Sequence, residues 1–197
     1  MPMVLLERPE DDIALLRMNR PEAMNALSTA VREEICDQFE TVINDPDVRV
    51  IIITGNDKVF IAGADLKEMA SRNTIEWSQT DARRMWRVLG ACPKPIVSAV
   101  NGFALGGGCE IAMSTDIIIA GEGAQFGQPE IRVGIIPGGG GTQRLVRAVG
   151  KYRANLMLLT GEMVSAEQAL EMGLISEMVP DSEVEGRAID VARKIAR

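Results

Sequence analysis

Two glutamates stand among apolar residues beside glycine-rich turns, and they are the side chains best suited to chemistry. Glu110 follows Gly106-Gly107-Gly108, and Glu130 follows Phe126-Gly127-Gln128-Pro129. Burial of a carboxyl group raises its pKa toward neutral pH, where it can both accept and donate a proton. The pair therefore predicts general acid–base chemistry on a neutral substrate. A structural alternative stays open, in which Glu110 is a helix N-terminal charge and Glu130 a surface turn residue.

The glycines themselves could bind a developing negative charge through backbone N–H groups. Gly106-Gly107-Gly108 separates a predicted strand from the helix that carries Glu110, so free N–H groups of a helix N-terminus lie there. Ala62-Gly63-Ala64-Asp65 offers a second stretch of small residues after a buried strand. One N–H group from each loop would form an oxyanion hole. Close packing of helix and strand is the alternative use of these small residues.

The same glycine runs do not fit the phosphate-binding motifs. Gly140 and Gly108 occupy the positions at which a P-loop carries its lysine, and no dinucleotide-binding spacing is present. The sequence therefore argues against a nucleotide site.

Composition excludes several other kinds of site. The 197 residues include no histidine, which removes Ser-His-Asp and Cys-His pairs and the commonest metal ligand. The three cysteines, Cys36, Cys92 and Cys109, form no closely spaced pair, so we expect no disulfide framework, no metal and no redox cofactor. A net charge of −7 argues against binding to nucleic acids or anionic membranes. A single anionic ligand is compatible with that charge, because backbone N–H groups can bind it.

Apolar periodicity predicts an α/β fold in a single domain over residues 1–197. The runs at 48–54 and 96–100 are continuously apolar, which is typical of strands buried on both faces. The further predicted strands are 13–18, 117–120 and 174–179, with a short extended run at 125–127. One predicted helix begins at Ser28. The other predicted helices cover 75–89, 109–113, 142–149, 165–173 and 182–197.

The N-terminal residues predict a cytoplasmic location. Acidic residues follow the initial methionine, without the basic segment and apolar stretch of a secretory signal. No apolar run approaches the roughly 20 residues that a membrane-spanning helix needs.

Five segments, in order along nearly the whole chain, carry a resemblance to a known family. They are Asn19–Leu27, Phe60–Lys67, Lys94–Glu110, Phe126–Glu130 and Pro137–Leu145. Together they resemble the enoyl-CoA hydratase/isomerase family, or crotonase superfamily. The resemblance implies a spiral of ββα units that binds an acyl-coenzyme A as its substrate and uses no separate cofactor.

The resemblance also implies where the substrate would lie. The thioester carbonyl oxygen would be held by the N–H groups of Ala64 and Gly107. Lys58 and Lys67 would lie near the phosphates of the coenzyme A. The substrate-binding residues expected from the family pattern are Ala62, Ala64, Asp65, Leu66, Lys67 and Gly107.

Both family glutamates are present, so the chain looks like a 2-enoyl-CoA hydratase of fatty-acid or aromatic-acid breakdown. In that interpretation Glu110 and Glu130 orient and activate one water molecule for attack at Cβ, and Glu130 supplies the proton to Cα. An isomerase would need only the Glu130 position, and the presence of Glu110 counts against it. A non-catalytic acyl-CoA-binding subunit is an alternative of a different class.

One departure from the family pattern concerns the C-terminus. Family members usually continue with a helical segment that covers the site and helps to assemble trimers, whereas the predicted last helix is still running at Arg197. We therefore expect that this segment is missing, and that a homotrimer or a dimer of trimers forms when it is present.

Overall fold

A computed structural model describes residues 1–73, 81 and 83–197. The strands are β1 (Val4–Glu10), β2 (Ile13–Met18), β3 (Val50–Thr54), β4 (Val59–Ile61), β5 (Ile96–Val100), β6 (Phe103–Leu105), β7 (Ile117–Gly121), β8 (Gln125–Gly127), β9 (Met163–Ser165) and β10 (Glu177–Val179). The helices among these residues are α1 (Thr29–Asn44), α2 (Leu66–Ser71), α3 (Arg84–Gly90), α4 (Gly107–Ser114), α5 (Gly141–Val149), α6 (Lys151–Thr160), α7 (Ala166–Glu171) and α8 (Val184–Ala196). Single 3₁₀ turns cover Pro21–Ala23, Pro129–Val133 and Asp181–Glu183.

The strands form two sheets that the chain visits in alternation. The larger sheet has the order β1-β2-β3-β5-β7-β10 and the smaller sheet the order β4-β6-β8-β9. The pairs β3 and β4, β5 and β6, and β7 and β8 each place one strand in the larger sheet and the next in the smaller one. Helical residues follow each pair, so the described chain winds as the predicted spiral of ββα units.

The smaller sheet determines where the glycine-containing loops of the sequence meet. Strands β4, β6 and β8 run parallel, with Val59 paired to Phe103 and Leu105 paired to Gly127. Because carboxyl ends of parallel strands share one edge of a sheet, the chain leaves all three strands on the same side. Residues 62–65, residues 106–107 and the 3₁₀ turn at 129–133 therefore lie next to one another.

Apolar side chains cover both faces of the larger sheet. On one face, Val184, Ala188 and Ala192 of α8 pack against a cluster that includes Ile52. On the other face, residues such as Ile51 join a second cluster with α1 and the smaller sheet. Burial on both sides explains why β3 and β5 are continuously apolar rather than alternating.

Most predicted elements are present, and several local signals mark their ends. The side chain of Ser28 accepts a hydrogen bond from the Val31 N–H group and begins α1. Ser165 and Gln168 form a reciprocal capping box at the start of α7. The predicted strand 174–179 was too long, because only Glu177–Val179 pairs with β7. Of the predicted helix 75–89, residues 75–80 and 82 lie outside the described part, and α3 covers its end.

Four elements were not predicted from the sequence. They are β1, β6, α6 and β9, with β4 expected only as part of a loop. Within the described residues, no helix has the length and apolar character needed to cross a membrane.

Candidate active site

A cavity of about 540 Å³ opens at the edge of the smaller sheet where β4 and β6 end. Its floor is formed by backbone from two of the glycine-containing loops, and its walls are largely apolar. Both predicted catalytic residues, Glu110 and Glu130, line it. The other predicted site residues at its surface are Ala62, Ala64, Leu66 and Gly107.

Glu110 is held by backbone N–H groups from a glycine-rich turn. Its side chain is 3% exposed, and its Oε1 atom accepts hydrogen bonds from the N–H groups of Gly139 and Gly141, each at 2.7 Å. Burial raises the pKa of this carboxyl group, while the two hydrogen bonds and the nearby Arg144 cation lower it. The turn thus supplies donors that favour the ionised form of Glu110.

Glu130 also lines the cavity, but fewer hydrogen-bond donors offset the effect of burial on its pKa. Burial raises the pKa of its carboxyl group to about 7, and the neighbouring Glu110 charge raises it further, against one hydrogen bond from its own backbone. The buried amide of Gln128 faces this carboxyl group, and with its O and N atoms exchanged the nitrogen lies 3.0 and 3.2 Å from the two carboxyl oxygens. The two glutamates therefore have different proton affinities in one cavity.

The loops after β4 and β6 each direct an N–H group that lacks a partner. The Leu27 N–H group donates to the Gly63 carbonyl at 2.8 Å, and the trans peptide then points the Ala64 N–H group the opposite way. Gly107 is the first residue of α4, where N–H groups have no partner within the helix. In the part of the chain that the structure describes, neither N–H group donates to another residue.

Close contact between these loops explains their glycines. A Cβ atom at Gly63 would lie 2.9 Å from the Leu105 carbonyl oxygen, and one at Gly106 would lie 3.1 Å from Oε1 of Glu130. Both glycines also have positive φ angles, 105° and 50°. The glycines therefore have the close-packing role that the sequence left open, and the oxyanion hole stays a prediction.

Two predicted substrate-binding residues do not line the cavity. Asp65 caps α2 by accepting hydrogen bonds from the Lys67 and Glu68 N–H groups, and it forms an ion pair with Arg20 at 2.7 Å. These contacts lower the pKa of the Asp65 carboxyl group. Lys67 is exposed outside the cavity wall. Among the described residues, no group of three Cys, Asp and Glu side chains is arranged to hold a metal ion.

The sequence profile described as "Enoyl-CoA hydratase/isomerase" matches residues 8–197. The chain belongs to this family. The family resemblance inferred from the five ordered segments is thereby confirmed, together with the crotonase-type fold.

Individual family members show how close the similarity is. The chain is 44% identical to the 2,3-dehydroadipyl-CoA hydratase of Escherichia coli over 98% of its own length and 76% of that protein. It is 47% identical to the mitochondrial enoyl-CoA hydratase of Pongo abelii over 93% of its own length and 63% of that protein. A crystal structure of the enoyl-CoA hydratase from Bacillus anthracis superimposes with a TM-score of 0.94 at 38% identity, covering 98% of this chain and 76% of that one.

The sequence pattern did not indicate which residues support the two glutamates of this enoyl-CoA hydratase/isomerase family member. Gly139, Gly141 and Arg144 lie within the segment that carried the resemblance, yet no function was assigned to them. Gln128 was likewise passed over. A polar residue two positions before a buried carboxylate is a usable signal, because buried carboxyl groups need nearby donors.

Proposed function

We propose that the chain catalyses the addition of water to the 2,3 double bond of a trans-2-enoyl-CoA. The observation that carries this proposal is the pair of buried glutamates with unequal proton affinities in one cavity. Hydration needs a base for the water molecule and an acid for Cα, and Glu110 and Glu130 match these two tasks. The names of the relatives in Escherichia coli and Pongo abelii support the same reaction class.

The reaction follows from the position of each group. The Ala64 and Gly107 N–H groups would bind the thioester oxygen, which polarises the double bond and stabilises the enolate-like transition state. Both glutamates orient one water molecule, and ionised Glu110 accepts its proton as the oxygen bonds to Cβ. Protonated Glu130 delivers its proton to Cα. The product is a 3-hydroxyacyl-CoA, and transfer of the proton from Glu110 to Glu130 restores the starting state.

Substitution at Gly107 tests the oxyanion hole. Proline is accepted at the first position of a helix, where it replaces the N–H group with its ring. Gly107→Ala is the matched control, because it adds the same Cβ atom, 3.0 Å from a flexible Leu27 methyl group, and keeps the N–H.

With crotonyl-CoA as substrate, we expect Gly107→Pro to lower kcat by about 10²- to 10³-fold relative to Gly107→Ala. The loss of the conjugated thioester absorbance measures the rate. Equal rates for the two variants would show that the Gly107 N–H group does not stabilise the thioester oxygen. Absence of hydration in the unaltered protein, with acyl-CoA binding retained, would favour a binding subunit. Migration of the double bond without hydration would favour an isomerase.

We propose further that copies of the chain associate through one face of α6. Tyr152, Leu156 and Leu159 repeat along this helix at intervals of four and three residues and are 59% to 85% exposed. The adjoining 3₁₀ turn adds Ile131 and Val133, which are also exposed. Contiguous apolar surface of this kind is typical of a protein interface. A homotrimer, as the family resemblance implies, would cover it.

Light scattering coupled to size exclusion tests this assembly. In protein that carries the C-terminal helical segment expected from the family resemblance, we expect the unaltered sequence to elute as an oligomer and Leu156→Glu to elute as a monomer. Leu170→Glu makes the same change at an exposed leucine of α7 and serves as the control. A monomeric unaltered protein with that segment, or an oligomer that survives Leu156→Glu, would contradict the proposed interface.

A further inference from the structure

In the turn that binds Glu110, one peptide group has no hydrogen bond to another residue of the turn among the described residues. The N–H groups of Gly139 and Gly141 both point at the same carboxyl oxygen of Glu110. Between the two donating peptides lies the peptide that joins Gly139 to Gly140. Glycine on both sides makes this peptide easy to rotate, since neither residue carries a Cβ atom that restricts its φ and ψ angles.

Arg144 holds that intervening peptide. Its Nη1 atom donates a hydrogen bond to the Gly139 carbonyl oxygen at 2.8 Å. The backbone N–H group of Arg144 also donates to the Gly140 carbonyl at 2.8 Å, so the side chain reaches back across its own helix start. The φ of 106° at Gly140 favours glycine there, and a Cβ atom at this position would also lie 2.1 Å from Nη1 and displace the guanidinium group.

Within the described part of the chain, no carboxylate forms an ion pair with the Arg144 guanidinium group. None of the ion pairs found among the described residues involves Arg144. Its charge is nevertheless felt by Glu110, in the direction that favours the ionised carboxylate. Among the described residues, the Glu110 charge in turn raises the pKa of Glu130 and of Cys109.

We infer that Arg144 is a positioning residue for Glu110: it fixes the Gly139–Gly140 peptide so that both neighbouring N–H groups stay directed at the carboxylate that activates water. This inference rests on the proposed hydratase function. Arg144 does not line the substrate cavity, so its effect on the reaction passes through the turn and Glu110.

Kinetics of Arg144→Met and Arg144→Lys test the inference, with Arg147→Met as the control on the same helix. Among the residues that the structure describes, the Arg147 side chain donates hydrogen bonds to its helix neighbour Gln143 alone. We expect Arg144→Met to lower kcat on the order of 10²-fold with little change in KM. The acid limb of its pH–rate profile should move to higher pH, because Glu110 loses both a cation and well-directed donors. Arg144→Lys should recover part of the rate, and Arg147→Met should match the unaltered protein.

A second readout does not depend on turnover. In protein with ¹³C-labelled glutamate carboxyl groups, the resonance missing from Glu110→Gln identifies Glu110. Its titration should shift to higher pH in Arg144→Met and less so in Arg144→Lys. An unchanged titration in a folded Arg144→Met variant would overturn the inference, as would a pH profile and rate equal to those of Arg147→Met. Failure of the unaltered protein to hydrate crotonyl-CoA would instead refute the hydratase proposal, and the titration would still decide the role of Arg144.

Discussion

Burial raises the pKa of both glutamates in the cavity, but their remaining contacts differ. Glu110, on α4, receives two backbone N–H groups at 2.7 Å and lies in the field of Arg144. Glu130, in the 3₁₀ turn at 129–133, has the charge of Glu110 beside it, and burial brings its pKa to about 7. Both carboxyl groups are buried to a similar degree, 3% and 9% exposed. Backbone donors, rather than depth, therefore distinguish the two.

Under the proposed function, that difference indicates which glutamate is the base and which is the acid. Backbone N–H donors favour the ionised form of Glu110, whereas Glu130, with a pKa of about 7, retains its proton in part of the molecules at neutral pH. The proposed hydration reaction would use Glu110 as the base and protonated Glu130 as the acid. The pair is coupled, so the two apparent pKa values belong to the site as a whole.

Removal of the acid should have the largest effect. Glu130→Gln keeps the size of the side chain but cannot transfer a proton to Cα, so we expect kcat for crotonyl-CoA hydration to fall on the order of 10³- to 10⁴-fold. Calorimetric titration with the unreactive butyryl-CoA should show that binding persists. A Glu130→Gln variant with a rate within tenfold of the unaltered protein would exclude Glu130 as the acid.

Removal of the base should have a smaller effect on the rate. Glu110→Gln leaves Glu130 able to orient the water molecule, and we expect kcat to fall by about 10²- to 10³-fold. The variant should also exchange the Cα proton of a saturated acyl-CoA, since that step needs only Glu130. If Glu110→Gln lost proton exchange as fully as hydration, the two glutamates would not have separate roles.

The smallest expected effect is on the free energy of unfolding, which reports the cost of ionising buried Glu130. Its folded pKa of about 7 exceeds the ordinary value of 4.5, so the folded protein binds this proton more tightly than the unfolded chain. The cost of ionising Glu130 is absent below pH 4.5, grows as the pH rises to 7 and is then complete. Glu130→Gln should therefore be more stable than the unaltered protein at pH 8, by up to about 3 kcal/mol, but not at pH 4.

Urea unfolding at both pH values measures this difference. Glu167→Gln, at an exposed glutamate of α7, provides the control and should change little at either pH. If Glu130→Gln gained the same stability at pH 4 and pH 8, the gain would not come from the ionisation of Glu130.

The fold could be predicted from the sequence where the pattern was strong. The apolar runs of β3 and β5 and the serine caps of α1 and α7 were recognisable, because burial on both faces and helix capping leave local signals. Strands β4, β6 and β9 have three residues each, too few for a period to show. Helix α6 was missed because its exposed face is apolar, so the usual alternation with polar residues is blurred.

The two catalytic candidates could be found for a similar reason, but the residues that hold them in place could not. Glu110 and Glu130 stand out because a charge among apolar residues is unusual. The turn that holds Glu110 lies 29 to 31 residues further along the chain. The spiral brings the two together, and no short-range pattern records such a contact. Arg144 escaped notice because an arginine on an amphipathic helix ordinarily faces solvent.

The dependence of kcat/KM on pH would show directly whether Glu130 acts as the acid, because this ratio reports the ionisation of the free enzyme. With crotonyl-CoA, we expect kcat/KM to decrease above about pH 7 as Glu130 loses its proton. In Glu110→Gln the decrease should begin at lower pH, because the like charge that raises the pKa of Glu130 is gone. A kcat/KM that increases through pH 7 to a plateau would mean that ionised Glu130 is the active form, and would contradict the assignment of Glu130 as the acid.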